Sequence, residues 1–366
     1  MKLGILGLPQ AGKTTLFNAL TRGDKPVGGA RQVGRFEVQT AVVPVPDERV
    51  DKLAAIFKPR KTIYAQVVYA DIAGLEAAAD GSADKSGFSG PLLNQLTPMD
   101  GFLHVVRAFE NATVPHPAGA VNPARDLAAV DGELLLNDLL AVERKLERLG
   151  EDARKGIVKD KGLHAQELAL FTKLKDALTA ETPLRVLALT PAEEKQIASH
   201  QLLTRKPMLV VFNTGDEDNV PVPAQVSPGA RAVRLQGKLE MELAQLPPED
   251  ARLFMREYGI AELGLSRVIQ ISYDLLGRQS FFTVGEDEVR AWTTRRGASA
   301  QEAAGEIHTD LREGFIRAEV YSYADLMAHG SVAELKARGR FRLEGKEYIV
   351  QDGDILNIRF SPPAKK

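Results

Sequence analysis

The chain has 366 residues, enough for two or three domains, and its 44% hydrophobic and 26% charged residues are an ordinary globular balance that argues against disorder. A formal net charge of -2 excludes a global attraction for nucleic acid or anionic membrane, so any RNA contact must come from a local basic patch. The absence of cysteine excludes disulfides, thiolate catalysis and cysteine-ligated zinc together, and fits a reducing, cytoplasmic setting.

The first apolar run, "LGILGL", is too short for a signal-peptide core, and no later segment is long and apolar enough to span a bilayer. Leu3-Gly4-Ile5-Leu6 suits a buried strand, and Thr15-Leu16-Phe17-Asn18-Ala19-Leu20 continues as a helix with Leu16, Ala19 and Leu20 on one face. Between them, "GLPQAGKT" satisfies G-x-x-x-x-G-K-[ST] through Gly7, Gly12, Lys13 and Thr14. Strand, loop and helix in that order are what a phosphate cradle requires. Gly7, Pro9, Gln10, Ala11 and Gly12 form the phosphate-binding loop, whose glycines let backbone N–H groups turn inward, Lys13 reaches the outer phosphates, and Thr15 opens the helix behind Thr14, whose hydroxyl is placed for Mg²⁺.

A second buried strand is expected in "AQVVYADIAGL". An aspartate at its end, Asp71, suits the magnesium shell, and Gly74 can offer its N–H to a terminal phosphate. Leu75 follows, where many GTPases keep a water-positioning glutamine, and leucine has neither donor nor acceptor for that task. Further on, Leu135, Leu139, Val142, Leu146 and Leu149 recur at alternating four- and three-residue steps, the mark of an amphipathic helix that wants a partner. "ELALFTKLKDALTA" is the natural returning helix, beyond a turn region at "LGEDARKGIVKDKG". After the apolar run "PMLVVFN" comes Asn213-Thr214-Gly215-Asp216. It is similar to the N-K-x-D base-reading loop of P-loop GTPases, in which the asparagine braces the phosphate loop and the acid reads guanine. Thr214 replaces the lysine, which leaves the base open.

The C-terminal strings "EVRAW", "AAGEIHTD", "GFIRAEV" and "EGKEYIVQDGD", in that order between about Phe281 and Phe360, closely resemble the TGS domain of the YchF family, also called Obg-like ATPases. Upstream, "VVPVPDERVDKLAAIFKP", "DIAGL", "HVVRAFEN" and "NPARDLAAVDGELLLNDLLAVERKLERL" also resemble that family, so the likeness covers nearly the whole chain. The fold it implies is α/β: a P-loop NTPase domain of the TRAFAC class, an inserted α-helical coiled-coil arm, and a C-terminal β-grasp TGS domain. The expected divisions are 1–123 and 190–277 for the nucleotide domain, 124–189 for the arm and 278–366 for the TGS domain.

The resemblance also implies function. A hydrophobic residue at the glutamine position is usual in the family, so Leu75 is expected, and the proposed substitute is a loop histidine that corresponds to His116. ATP is the implied nucleotide, bound with Mg²⁺; Asp216, the ending of guanine-specific proteins, keeps GTP in play. The implied partner is the ribosome or ribosomal RNA, met by the arm and the TGS domain. Lys336, Arg338, Arg340, Arg342 and Lys346 offer a local basic cluster for it. The chain departs from the family in both switches. Arg35 stands where a switch threonine is expected, and "EAAADGSADKSGFSG" replaces a basic, glycine-rich continuation. Slow or differently triggered hydrolysis is therefore expected; the alternative is a nucleotide sensor or scaffold without significant hydrolysis. A small-molecule kinase fits poorly, since no arginine-rich lid is visible. Oligomeric state is not legible.

Overall fold

The computed structural model describes residues 1–23, 38–72, 88, 90–216, 220–260 and 262–361. In chain order the strands are β1 (Lys2–Leu6), β2 (Gln39–Pro44), β3 (Lys61–Ile63), β4 (Gln66–Asp71), β5 (Gly101–Ala108), β6 (Met208–Thr214), β7 (Arg231–Leu235), β8 (Arg278–Val284), β9 (Glu288–Arg295), β10 (Phe315–Ser322), β11 (Arg342–Glu344) and β12 (Asp354–Phe360). The helices are α1 (Lys13–Thr21), α2 (Glu48–Phe57), α3 (Gly90–Leu96), α4 (Pro123–Arg154), α5 (Lys161–Thr179), α6 (Pro191–Ile197), α7 (Gly237–Gln245), α8 (Pro248–Glu257), α9 (Gly264–Leu275), α10 (Ala300–Ile307), α11 (Thr309–Glu313), α12 (Tyr323–His329) and α13 (Val332–Ala337). Contacts divide the chain into two compact units, 1–42 with 68–268, and 43–67 with 269–366.

The first unit is built on a six-stranded sheet in the order β2-β4-β1-β5-β6-β7, and the pairs β1/β4, β1/β5, β5/β6 and β6/β7 are parallel. Every residue of β5 and β6 is buried, as expected for parallel strands covered on both faces. The core on one side of the sheet gathers Phe102, Val106, Val210 and Phe212 with Leu92, Leu96, Leu127, Val130 and Leu134. The N-terminal half of α4 is thus part of this core.

The C-terminal half of α4 leaves it to pair with α5, where Val142 packs with Leu170, Phe171, Leu174 and Leu178, flanked by Leu135, Leu139 and Leu146. This is the helical arm. Its tip is shorter than the sequence suggested: α4 runs through "LGEDAR" to Arg154, because these residues are mostly good helix formers and Glu151 pairs with Lys155 across one turn at 2.8 Å. Gly156, at φ 69°, then ends the helix, and the Asp160 carboxylate accepts from Leu163 N–H to start α5. Deeper in, Asp138 is fully buried and accepts from the N–H groups of Leu203 and Thr204 and from the Thr204 hydroxyl, at 2.7–2.8 Å. Middle α4 is thereby tied to the turn that leads into β6.

In the second unit a six-stranded sheet, β11-β10-β12-β8-β9-β3, curls over α10. The pairs β8/β9, β10/β12 and β10/β11 are antiparallel, while β12/β8 and β3/β9 are parallel. Phe281, Val320 and Leu356 bury Ala300 and Ala303 of α10, which is started by a capping box between Ser299 and Glu302. This helix-grasping sheet is the β-grasp module. One division differs from the expectation: residues 43–67, read from sequence as part of the nucleotide domain at 1–123, make their contacts with the C-terminal unit. Strand β3 covers the edge of β9 through Lys61↔Glu288, Thr62↔Val289 and Ile63↔Arg290, which satisfies backbone groups an open edge would expose. Arg49 of α2 binds Asp352 at 2.7 Å and lies over the Phe282 ring at 5.0 Å. The unit also takes in 269–277, ahead of the expected start at 278.

Candidate nucleotide site

Residues 7–12 join β1 to α1 with a backbone that takes positive φ at three positions, two of them glycine. Gly7 has φ 150°, Gln10 φ 59° and Gly12 φ 95°. Two glycines are also enforced by close approach: a Cβ on Gly7 would stand 2.3 Å from the Val105 carbonyl oxygen, and one on Gly12 would stand 2.1 Å from Asn213 Nδ2. Lys13 Nζ donates to the carbonyls of Gly7 and Leu8, both at 2.8 Å, so the lysine lies back across its own loop. Thr14 is half-buried and Thr15 buried in the first turn of α1. Pro9 is partly exposed beside the buried Ala11.

Asn213, at the end of β6, joins three segments. Its Nδ2 donates to the Ala11 carbonyl at 3.0 Å and its Oδ1 accepts from Gly237 N–H at 3.0 Å. It thereby fixes the phosphate loop to the start of α7. A Cβ on Gly237 would come within 2.6 Å of Asn213 Oδ1, so this residue too must be small. Gln236 reaches back to the Gly215 carbonyl at 3.2 Å, and Asp216 is exposed on the loop beyond. Glu240, in the segment Gln236–Glu240, turns away to cap α9 through the N–H groups of Gly264 and Leu265; burial raises its carboxyl above the usual range.

Asp71 is 1% exposed and stands at the end of β4, opposite Ile5 of β1. Gly74, Leu75 and Arg35 lie outside the described residues, as does most of the atypical segment after Leu75.

His116 sits on the loop between β5 and α4, yet it is buried. A small cleft is lined on one side by Leu8, Pro9 and Ala11 and on the other by Arg107, His116 and Asp126, so the structure does bring the histidine beside the phosphate loop. Its Nε2 bonds Asp126 Oδ2 at 2.8 Å, and its Nδ1 accepts from Ala118 N–H at 3.1 Å. A nitrogen that accepts carries no proton, which assigns the ring proton to Nε2, donated to Asp126. The second Asp126 oxygen accepts from Arg125 Nε and Nη2 at 2.9 and 2.8 Å.

Three neighbours were not anticipated from sequence. Arg107, in "HVVRAFEN", is 1% exposed, donates from Nε to the Phe109 carbonyl and from Nη2 to the Val114 carbonyl, and keeps Nη1 buried without a hydrogen-bond partner among the described residues. It holds the histidine loop from the strand side, and burial lowers its pKa. A cation within the apolar run "GFLHVVRA" was the signal that could have found it. His104, in the same run, is buried opposite Leu6; desolvation, then the charges of Lys13 and Arg185, push it down to about 3. Asp126 gave no signal, since an acid in the first turn of a helix is common.

A glycine-pinched anion cradle on a parallel sheet, a buried aspartate at the neighbouring strand end and a helix-borne arm define a P-loop nucleotide-binding protein with a C-terminal β-grasp module. Comparison with known proteins narrows this class. Residues 2–135 match the family model MMR_HSR1, described as "50S ribosome-binding GTPase", and residues 278–361 match YchF-GTPase_C, described as "Protein of unknown function (DUF933)". The chain is 38% identical to the ribosome-binding ATPase YchF of Bacillus subtilis, over 98% of both chains. It is 40% identical to that of Escherichia coli O157:H7, over 98% of this chain and 99% of the relative. The solved structure of the Schizosaccharomyces pombe YchF GTPase superposes with a TM-score of 0.85 at 31% identity, over 98% and 97% of the two chains. The chain belongs to the YchF family.

Proposed function

We propose that this protein is a nucleotide-dependent switch that binds and slowly hydrolyses ATP, with GTP as the competing nucleotide, and acts on the ribosome. The observation that carries the reading is the braced phosphate loop, with Asn213 holding Ala11 and Gly237 and with Lys13 ready to exchange two carbonyls for phosphate oxygens. The names of the relatives, ribosome-binding ATPase YchF, support the partner. Among the described helices none is long and apolar enough to cross a membrane. A cysteine-free chain and a ribosomal partner support a cytoplasmic location.

The donor set suits Mg²⁺: the Thr14 hydroxyl, in the first turn of α1, and the Asp71 carboxylate, at the end of β4, are hard oxygens, the ligand type this ion takes alongside water and phosphate. When bound, Mg²⁺ supplies charge neutralisation across the outer phosphates. Lys13 binds those phosphates, the N–H groups of the loop orient them, and His116 is the candidate to hold the attacking water. Both of its ring nitrogens are already engaged, which supports slow turnover in the free protein. The sensor reading draws on the same observation, and turnover itself separates the two.

Co-sedimentation with ribosomes, with and without ATP, tests the switch. Binding that responds to ATP in the natural protein and not in Lys13→Ala is expected. Absence of binding, or binding indifferent to nucleotide in both proteins, contradicts the reading.

A further inference from the structure

The histidine loop is fastened at both ends. Arg107 holds Phe109 and Val114 from β5. Arg125 and Asp126 hold the other side from the first turn of α4, where Arg125 also donates to the Ala120 carbonyl at 3.1 Å. That first turn is itself well anchored: the Asn122 side chain accepts from Arg125 N–H, and Pro123 opens the helix. The imidazole is held at Nδ1 by Ala118 N–H, with Arg125 Nη2 at 3.4 Å, and at Nε2 by the shorter bond to Asp126, between side chains 3% and 4% exposed. While it stands, neither ring nitrogen is free for a water on the terminal phosphate. Asp126 belongs to the helix that continues past the buried Asp138 anchor into the arm with α5. One continuous helix therefore carries both the partner of the histidine and the half that pairs with α5.

We infer that Asp126 is a positioning residue that clasps His116 in a resting arrangement, and that displacement of α4 through the arm opens the clasp and releases the imidazole for hydrolysis. This rests on the reading of His116 as the group that holds the attacking water. A long helix transmits a small rotation from one end to the other without bending much, while a side-chain hydrogen bond is lost with a shift of about 1 Å. The clasp then acts as a two-state element: closed in the free protein, open when the arm is engaged.

The test is single-turnover ATP hydrolysis by the full chain, with and without ribosomes, for the natural protein, Asp126→Asn, His116→Ala and the double variant. Asparagine keeps an acceptor of similar shape but removes the charge that makes the bond strong. Asp126→Asn is expected to raise the ribosome-free rate about tenfold, the weight of one charge-assisted hydrogen bond, and to shrink the stimulation by ribosomes in proportion. ATP affinity stays unchanged, and in the double variant the rise disappears, because the two residues act as one unit. A ribosome-free rate that is unchanged or lower in a folded Asp126→Asn protein overturns the inference. So does a rise that survives without His116, or one that leaves the ribosome stimulation undiminished. If Asp126→Asn does not fold, Asp126→Glu keeps the charge beside Arg125 while displacing the carboxylate, with the same expectations. The two failures are distinguishable. A normal rate in His116→Ala removes the reading of the histidine itself, whereas a low rate there with no rise in the Asp126 variants removes only the clasp.

Discussion

At the scale of single residues, the phosphate loop is where sequence and structure say the same thing, because its glycines answer to backbone geometry that no larger residue satisfies. Gly12 faces Asn213 and Gly7 faces Val105 at distances a side chain cannot share. Asn213 stood out for a different reason: it is the polar residue that ends the apolar run of β6. The clasp of His116 did not. Its partner lies across a loop with no motif to mark it and looks like an ordinary acid at the start of a helix. His104 makes a further prediction. Its pKa of about 3 in the folded chain lies below the value near 6.5 expected when unfolded. A depressed pKa contributes stability that is present above the unfolded value and is lost as pH falls from there towards 3. Between pH 7 and pH 5 this group alone should remove roughly 2 kcal/mol from the folding free energy. Denaturant unfolding at both pH values checks it: His104→Leu should lose less stability than the natural protein by about that amount, and an equal loss in both would contradict the burial of a neutral ring.

At the scale of elements, the arm was readable because periodicity survives in its sequence. Leu135, Leu139, Val142, Leu146 and Leu149 form one stripe, and the structure turns that stripe toward α5 and its flanks. What periodicity could not show is where the helix stops being core and becomes arm, since Leu127, Val130 and Leu134 continue the same apolar face into the nucleotide domain. Nor could it show that "LGEDAR" stays helical, since a polar run with a glycine reads equally well as a turn. The join is made by Asp138, an acid that the stripe hides. Asp138→Ala would leave two buried N–H groups and a hydroxyl without their acceptor, at ~1–3 kcal/mol for each unsatisfied group. A loss of at least ~3 kcal/mol in thermal or denaturant unfolding is expected. A loss below ~1 kcal/mol would mean that this anchor does not tie α4 to the turn before β6.

At the scale of the whole molecule, the family likeness found both compact units but not their membership. Residues 43–67 pass from the nucleotide domain's sequence into the β-grasp unit because β3, with only three residues and no apolar alternation, completes the edge of β9. Nothing in "KTI" announces such a pairing; it is decided by an edge far along the chain. The net charge of -2 fits an association that uses local basic groups rather than the overall field. The central claim is that the braced loop supports hydrolysis in which His116 takes the part leucine cannot play at position 75. Single-turnover hydrolysis of ATP and GTP by the natural protein, Lys13→Ala and His116→Ala, with affinity measured on the same samples, tests it most directly. The account predicts slow hydrolysis of ATP in preference to GTP, lost with binding in Lys13→Ala. In His116→Ala the rate should fall by about 10²–10⁴-fold with binding intact. Tight Lys13-dependent binding with no turnover of either nucleotide, with or without ribosomes, would contradict it and leave a nucleotide sensor.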